Sequence, residues 1–215
     1  MKEISESTLD LLREQLLGTM SPKRFRHTVA VEQMVARLCA LYCPEHTMKL
    51  RAAALLHDLT KEWSTETHAD YCRAQDMPLT EEFFLSPKTF HAYTASIRIE
   101  RELSQFHDPL IVNAVRWHTT GHAGMTLTEK LLYLADYIDE SRTFPNCVLL
   151  RRFFFGAEPD KMDREQRLAL LRDTLILSYD MTIQDLLSDG TAVAEDTNLA
   201  RNELIAERIR AEKNS

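Results

Sequence analysis

The segment Leu55-Leu56-His57-Asp58-Leu59-Thr60-Lys61 sets an imidazole and a carboxylate side by side inside an apolar run. Burying such a pair is costly unless each group gains a partner in place of water. A bound cation does this directly, because both side chains then serve as ligands. Any fold open to this chain must therefore bring further donors to His57 and Asp58. The sequence supplies candidates in order: His27 before the pair, then His91, His118 and Asp136 after it.

Glycine and proline number only 5 and 7 in 215 residues, which leaves few tight turns and argues for long helices over hairpins. Helix starts are written locally. Ser21-Pro22 and Asp108-Pro109 each set an N-cap residue before a proline at the first helical position. Thr126 and Glu129 form a capping-box pair. The spacing predicts a helix from about Ser7 to Leu17. A second runs from Pro22 to Pro44 with His27, Val31, Met34, Val35, Leu38 and Tyr42 on one face. A third starts at Thr47 and runs through Leu50, Ala53, Ala54 and His57. Others follow at about Thr65 to Gln75, after Pro87 (His91, Ala95, Ile99), after Pro109 (Ile111, Val115, with His118 at its end) and after Thr126 (Leu132, Ala135, Asp136, Asp139). A long amphipathic helix near Asp163 to Leu187 and a charged one near Asn198 to Lys213 finish the chain. No strand is expected, so the fold class is all-α. The expected organisation is one globular domain: an N-terminal helix (1–20), a core (21–145) and C-terminal helices (146–215) packed on that core.

Hydrophobic residues at 44% and charged residues at 27% are typical of a soluble globular protein. The net charge of −7 argues against a nucleic-acid-binding surface. No apolar run approaches the length of a membrane span, and the segment Met1-Lys2-Glu3-Ile4-Ser5-Glu6 is too polar for a signal peptide. The cytoplasm is the expected compartment. Cys39, Cys43, Cys72 and Cys147 form no C-x-x-C pair and read as small core residues. There is no P-loop, no glycine-rich dinucleotide fingerprint and no G-x-S-x-G elbow. His46, His68 and His107 read as surface residues, and Glu81-Glu82 and Asp139-Glu140 as solvated helix charge. Arg151-Arg152-Phe153-Phe154-Phe155 reads as packing for the following helices.

Taken alone, His27, His91 or His118 reads as a hydrogen-bonded core histidine. Together the residues read differently. His27, His57 and His91 each lie on the apolar stripe of a separate helix, His118 sits at a helix end, and Asp136 interrupts Tyr133-Leu134-Ala135-Asp136-Tyr137-Ile138. Inward imidazoles and carboxylates on facing helices build dinuclear sites. The set His27, His57, Asp58, His91, His118 and Asp136 exceeds the four ligands of a structural zinc. A mixed imidazole and carboxylate set suits iron, manganese or another first-row divalent metal. Asp58, the only carboxylate adjacent to a ligating histidine, is the natural bridge. Two bridged metals can clamp the attacking and leaving oxygens of a phosphoryl transfer.

This order of histidines and aspartates resembles the HD-domain superfamily of metal-dependent phosphohydrolases. Arg24-Phe25-Arg26-His27-Thr28-Val29, Leu55-Leu56-His57-Asp58-Leu59-Thr60-Lys61-Glu62, His118-Thr119-Thr120-Gly121, Lys130-Leu131-Leu132-Tyr133-Leu134-Ala135-Asp136-Tyr137-Ile138 and Ser141-Arg142-Thr143-Phe144-Pro145 are similar to the YqeK family. The resemblance implies an HD-domain helical bundle. It implies a dinuclear, iron-containing centre that cuts diadenosine tetraphosphate (Ap4A) symmetrically into two ADP. His27, His57, Asp58 and Asp136 would hold one metal, and His91, His118 and the bridging Asp58 the other. Asp58, Lys61, His91 and His118 become the catalytic candidates. Arg24, Lys61, Thr119, Thr120, Gly121, Tyr133 and Arg142 become candidates for holding the nucleotide, Gly121 through its backbone amide and Tyr133 by stacking or by packing in the core. The partner is a small dinucleoside polyphosphate, with neither nucleic acid nor membrane, and a homodimer is left open. Two positions depart from the family pattern and bear on substrate preference: Tyr93, bulkier than usual, and His122, where a basic residue is common. Two other readings stand beside this one. An HD phosphohydrolase of a deoxynucleoside triphosphate, a cyclic nucleotide or a guanosine alarmone would give different products. A non-catalytic nucleotide sensor would bind without turnover.

Overall fold

A computed structural model describes residues 3–214, so Met1 and Lys2 of the acidic N-terminal segment lie outside the described residues. The helices are α1 (Glu6–Leu17), α2 (Pro22–Tyr42), α3 (Thr47–Leu56), α4 (Thr65–Ala74), α5 (Glu81–Leu85), α6 (Phe90–Glu102), α7 (Pro109–Trp117), α8 (Leu127–Ile138), α9 (Pro145–Gly156), α10 (Arg164–Ser188) and α11 (Glu195–Asn214). There is no strand among the described residues, and no helix is long and apolar enough to cross a membrane. The fold is all-α.

The starts follow local chemistry. Ser21 accepts from the Arg24 amide with Pro22 at the first helical position, and Asp108 accepts from the Leu110 amide at 2.9 Å ahead of Pro109. Capping boxes open α8 (Thr126 with Glu129) and α10 (Asp163 with Gln166). Two helices were not expected from the sequence. α5 is short and buries no side chain of its own. α9 starts at Pro145 without a Ser, Thr, Asp or Asn before it, and it buries Cys147, Leu150 and Phe154. Asp139 lies one residue beyond α8, as its C-cap.

The centre of the molecule is α3. Its Leu50, Ala52, Ala53, Ala54, Leu55 and Leu56 are all fully buried, on more than one side of the helix. The alanines let α2, α7 and α8 approach closely. α2 contributes Val31, Met34, Val35 and Leu38; α7 contributes Ile111, Ala114 and Val115; α8 contributes Leu131, Leu132, Leu134, Ala135 and Ile138. α10 packs on α8, α9 and α11, and one apolar cluster runs from Leu9 to Leu204. Trimming a buried leucine such as Leu55 to alanine costs about 2–5 kcal/mol in such cores. α3 ends at Leu56, so His57 and Asp58 fall at the tip of a buried helix, inside the molecule.

A smaller apolar cluster of Ala69, Cys72, Phe90, Tyr93 and Ile97 lies between α4 and α6. It overturns the surface reading of His68, which is only 4% exposed. His68 stacks on Phe90 at 5.0 Å, and its Nδ1 is 2.8 Å from Thr94 Oγ1. Its polar flanks hid the fact that one face of α4 turns inward. His107 is exposed and His46 half-buried, and all four cysteines are free and buried. Arg151 donates to the carbonyls of Ile138, Asp139 and Arg142, and Phe154 is buried, so these two residues pack while Arg152 and Phe153 are exposed.

Gly121 turns the chain after α7 at φ +64°, and a Cβ there would lie 1.9 Å from Tyr179 Oη and 2.9 Å from Met125 Sδ. Left-handed backbone costs a non-glycine residue about 1–2 kcal/mol, and overpacking about 1–3 kcal/mol more. Gly121→Ala should therefore lose about 2–5 kcal/mol of stability by denaturant titration, and adding Tyr179→Phe should recover part of the loss. Full stability in the single variant would show that the turn tolerates a side chain.

Burial lowers the pKa of His68 to about 4, aided by the charges of His91 and Lys61. In the unfolded chain the value is about 6.5. The unfolded state thus binds more protons between these values, so stability is lost as pH falls from about 6.5 towards 4. His68→Gln keeps a hydrogen-bonding side chain and removes this titration. Its unfolding midpoint should fall less steeply than the parent's between pH 6 and 5, as scanning calorimetry would read; identical slopes would place the shift elsewhere.

Candidate metal centre

Five helical elements bring the six donors together. His27 comes from α2, His57 and Asp58 from the tip of α3, His91 from α6, His118 from the C-cap of α7 and Asp136 from α8. Asp58 divides its two oxygens between two sides. Its Oδ2 lies 3.3 Å from His57 Nε2 and 3.7 Å from His27 Nε2. Its Oδ1 lies 3.2 Å from His91 Nε2 and 4.0 Å from His118 Nε2. Asp136 Oδ1 closes the first side, 2.9 Å from His27 Nε2 and 3.7 Å from His57 Nε2. On the second side, the Nε2 atoms of His91 and His118 approach to 3.0 Å. The tightest donor groups are His27, His57, Asp136 and His57, Asp58, His118, so His57 reaches both.

The ring tautomers follow from what the other nitrogens face. A carbonyl only accepts. His57 Nδ1 must therefore donate to the Ala54 carbonyl at 2.6 Å, and His118 Nδ1 to the Val115 carbonyl at 2.7 Å. In its neutral form each ring then turns the Nε2 lone pair towards the carboxylates. His27 Nδ1 faces Ser141 Oγ at 3.2 Å and Asp139 Oδ2 at 3.5 Å, which orients its ring the same way. The Nε2 atoms of His27 and His57 are buried without a hydrogen-bond partner. Buried lone pairs facing carboxylate oxygens repel unless a proton or a metal cation stands between them. The residues therefore fit a metal. Nitrogen and oxygen donors without thiolate fit a first-row divalent ion.

The electrostatics agree. Burial opposes ionisation of Asp58, but His57 and His91 outweigh it and hold the carboxyl well below its usual range. Burial likewise opposes Asp136, where Arg142 and His27 prevail. Burial disfavours charge on His27, yet Asp136 and Asp139 raise its pKa to about 9. The two carboxylates favour positive charge beside them, while burial, with the neighbouring cations, disfavours it on His91 and His118.

Asp139 was missed as part of the site: it is fully buried, not solvated helix charge. It accepts from the Ser141 amide at 2.8 Å and from the Ser141 hydroxyl, and it faces His27 Nδ1. The signal lay in its position one turn after Asp136 at the end of an apolar helix.

A cavity of about 640 Å³ opens beside the cluster, with Lys61, Thr119, Thr120, Asp136, Tyr137 and Arg142 on its wall. Lys61 Nζ sits 3.2 Å from His91 Nδ1, and burial lowers its pKa. Arg142 spends Nε on the Asp136 carbonyl and Nη2 on Asp136 Oδ1 at 2.6 Å. Thr119 Oγ1 is buried without a protein partner, while Thr120 donates to the Gly121 carbonyl at 2.9 Å. Two nucleotide-site expectations need correction. The Gly121 amide donates to the Trp117 carbonyl at 2.9 Å, so it cannot cradle a phosphate. Tyr133 is fully buried, packed against Tyr137 and Tyr179, and absent from the cavity wall; Tyr137, one turn on, takes that place. Arg24 pairs with Asp58 at the cluster. Tyr93 packs on Phe83, and His122 on Trp117, so both departures stand away from the cavity lining.

Comparison with known proteins agrees with this geometry. The HD-domain family model matches residues 24–141. The chain is 30% identical over 201 residues to the symmetrical bis(5'-nucleosyl)-tetraphosphatase of Bacillus subtilis, covering 94% of this chain and 97% of that protein. The protein of the same description from Halalkalibacterium halodurans is 28% identical, over 88% of this chain and 92% of the relative. Among solved structures, an HD-superfamily hydrolase of Clostridium acetobutylicum, described as involved in NAD metabolism, superposes with a TM-score of 0.79 at 29% identity, over 93% of this chain and 97% of that one. An HD domain with this His/Asp cluster marks a divalent-metal site. The chain belongs to the HD-domain family, in the group whose curated members are called symmetrical bis(5'-nucleosyl)-tetraphosphatases.

Proposed function

We propose that this chain is a metal-dependent phosphohydrolase that splits Ap4A symmetrically into two ADP. The observation that carries the reading is the six-donor cluster opening on a cavity walled by Lys61, Lys88 and Arg142. Cations and hydroxyls beside a metal cluster suit a polyphosphate. The relatives' activity gives its class. Four free, buried thiols support a reducing, cytoplasmic setting.

We assign His27, His57, Asp136 and Asp58 Oδ2 to one cation, and His91, His118 and Asp58 Oδ1 to a second. The family resemblance favours iron, and the donor set also suits manganese. Two divalent cations held there would supply Lewis acidity, lowering the pKa of a nearby water and neutralising charge on the phosphate oxygens. The chain's own residues do the rest. Lys61, beside His91, donates to a phosphate oxygen and balances its growing charge. Thr119 offers a hydroxyl that no protein group uses. Arg142 lines the cavity and fixes Asp136 through Nε and Nη2. Arg24 pairs with Asp58, neutralising and orienting that carboxylate. A base held at a fixed distance from the cluster selects which phosphorus is attacked.

Elemental analysis should find about two metals per chain after reconstitution with iron or manganese, since Asp58 turns one oxygen to His27 and His57 and the other to His91 and His118. Asp58→Asn should lower the content of both metals and abolish turnover, because its two oxygens face different histidines. One metal or fewer in the parent protein, or normal loading in the variant, would break the bridge assignment.

Chromatography of the products from Ap4A should show ADP alone. Substantial AMP and ATP would overturn symmetrical cleavage and leave the metal site standing. No turnover of Ap4A beside rapid hydrolysis of a deoxynucleoside triphosphate, a cyclic nucleotide or a guanosine alarmone would move the substrate. Nucleotide binding without any turnover in the metal-loaded protein would make the chain a sensor.

A further inference from the structure

Phe144 is 65% exposed, more than any other large apolar side chain among the described residues. A lone exposed phenylalanine needs no explanation by itself, so its placement decides the matter. Its backbone is held firmly. It is the N-cap of α9, kept extended at φ −62° and ψ 140° by the following Pro145, and its carbonyl accepts from the Val148 amide at 3.0 Å. It lines the cavity with Tyr137, Arg142 and Leu186. Two residues on, Asn146 Nδ2 donates to Asp185 Oδ2 at 3.0 Å, which ties the start of α9 to α10 next to Leu186. The cavity wall therefore carries two kinds of group. Lys61, Thr119 and Asp136 are charged or hydroxylic; Phe144 and Leu186 supply an aromatic ring and an aliphatic side chain. Polyphosphate suits the first kind and a flat, apolar-faced base the second.

We propose that Phe144 is a base-stacking residue, whose ring takes the face of the purine of a nucleotide with its phosphates at the metal cluster. This rests on the nucleotide-hydrolase reading and names the residue that holds the base. Stacking uses the π-face that every base has, so Phe144 supplies affinity and distance and does not separate adenine from guanine. A ring whose backbone is already fixed loses little freedom on binding, which suits it to set the span between base and scissile phosphate.

The test uses the full-length, metal-loaded protein with F144A, F144Y and F144W, and ADP and pyrophosphate as probes. F144A should bind ADP about tenfold more weakly and bind pyrophosphate as the parent does. KM for Ap4A should rise by a similar factor, with a smaller change in kcat. F144Y should restore ADP affinity. Fluorescence of F144W, less the parent signal of Trp63 and Trp117, should be quenched by ADP and not by pyrophosphate. Equal loss of both ligands in F144A, or no loss of ADP affinity, overturns the proposal. So does a dimer that becomes monomeric in F144A while ADP affinity holds, because the ring would then cover a second copy of the chain. A parent protein that neither binds ADP nor splits Ap4A defeats both this inference and the functional reading. A parent that does both, matched by F144A, defeats this inference alone.

Discussion

The Asp58 carboxylate is 3% exposed and stays ionised because imidazoles face both of its oxygens and the Arg24 guanidinium pairs with Oδ2. A carboxylate in the interior costs several kcal/mol unless it is paired. That demand draws α2, α3, α6, α7 and α8 to one point, since no single helix could supply the partners. Hydrophobic burial holds the helices together; the needs of one charge set where they meet. α3 shows how the two are reconciled. Its alanines bring the neighbours in close, and its last turn delivers His57 and Asp58 into the gap between them.

Whatever depends on a few neighbouring residues was legible in the sequence. Ser21-Pro22, Asp108-Pro109 and the Thr126–Glu129 box start helices where expected, because caps act within one turn. The six donors were legible too, because a polar residue on an apolar stripe is conspicuous. What failed depends on contacts made far along the chain. His68 lies among polar neighbours, yet Phe90 and Thr94 from α6 enclose it. Asp139 looked like half of a solvated acid pair until His27, from a helix more than a hundred residues earlier, came to face it. Periodicity says that a side chain points inward, and does not say whether inward means core or cavity. Tyr133 and Tyr137 share a face of α8; one ends in the core and the other on the cavity wall. Gly121 looked like a donor to phosphate, and its real constraint is the Tyr179 hydroxyl pressed against it.

Several groups around the cluster touch no candidate ligand face and still define it. Ser141 and Asp139 orient His27, and Thr60 donates to the backbone carbonyl of His91 at 3.0 Å while also bonding Thr94 at 2.8 Å. Through Thr94 this chain of bonds reaches His68 and the smaller apolar cluster. The part of the molecule built on α4 and α6 is thus joined to the donors by hydrogen bonds as well as by packing.

His57 and His118 share a further trait: each caps the C-terminal end of its own helix and returns its Nδ1 proton to a carbonyl of that helix's last turn. Those carbonyls are among the groups a helix normally leaves to water. The same ring therefore closes a helix end with one nitrogen and faces the cluster with the other. Fraying of the last turn of α3 or α7 would swing a donor away, and any cation gripping Nε2 would resist that fraying. Affinity for metal and slow amide exchange at these two helix ends become two readings of one equilibrium.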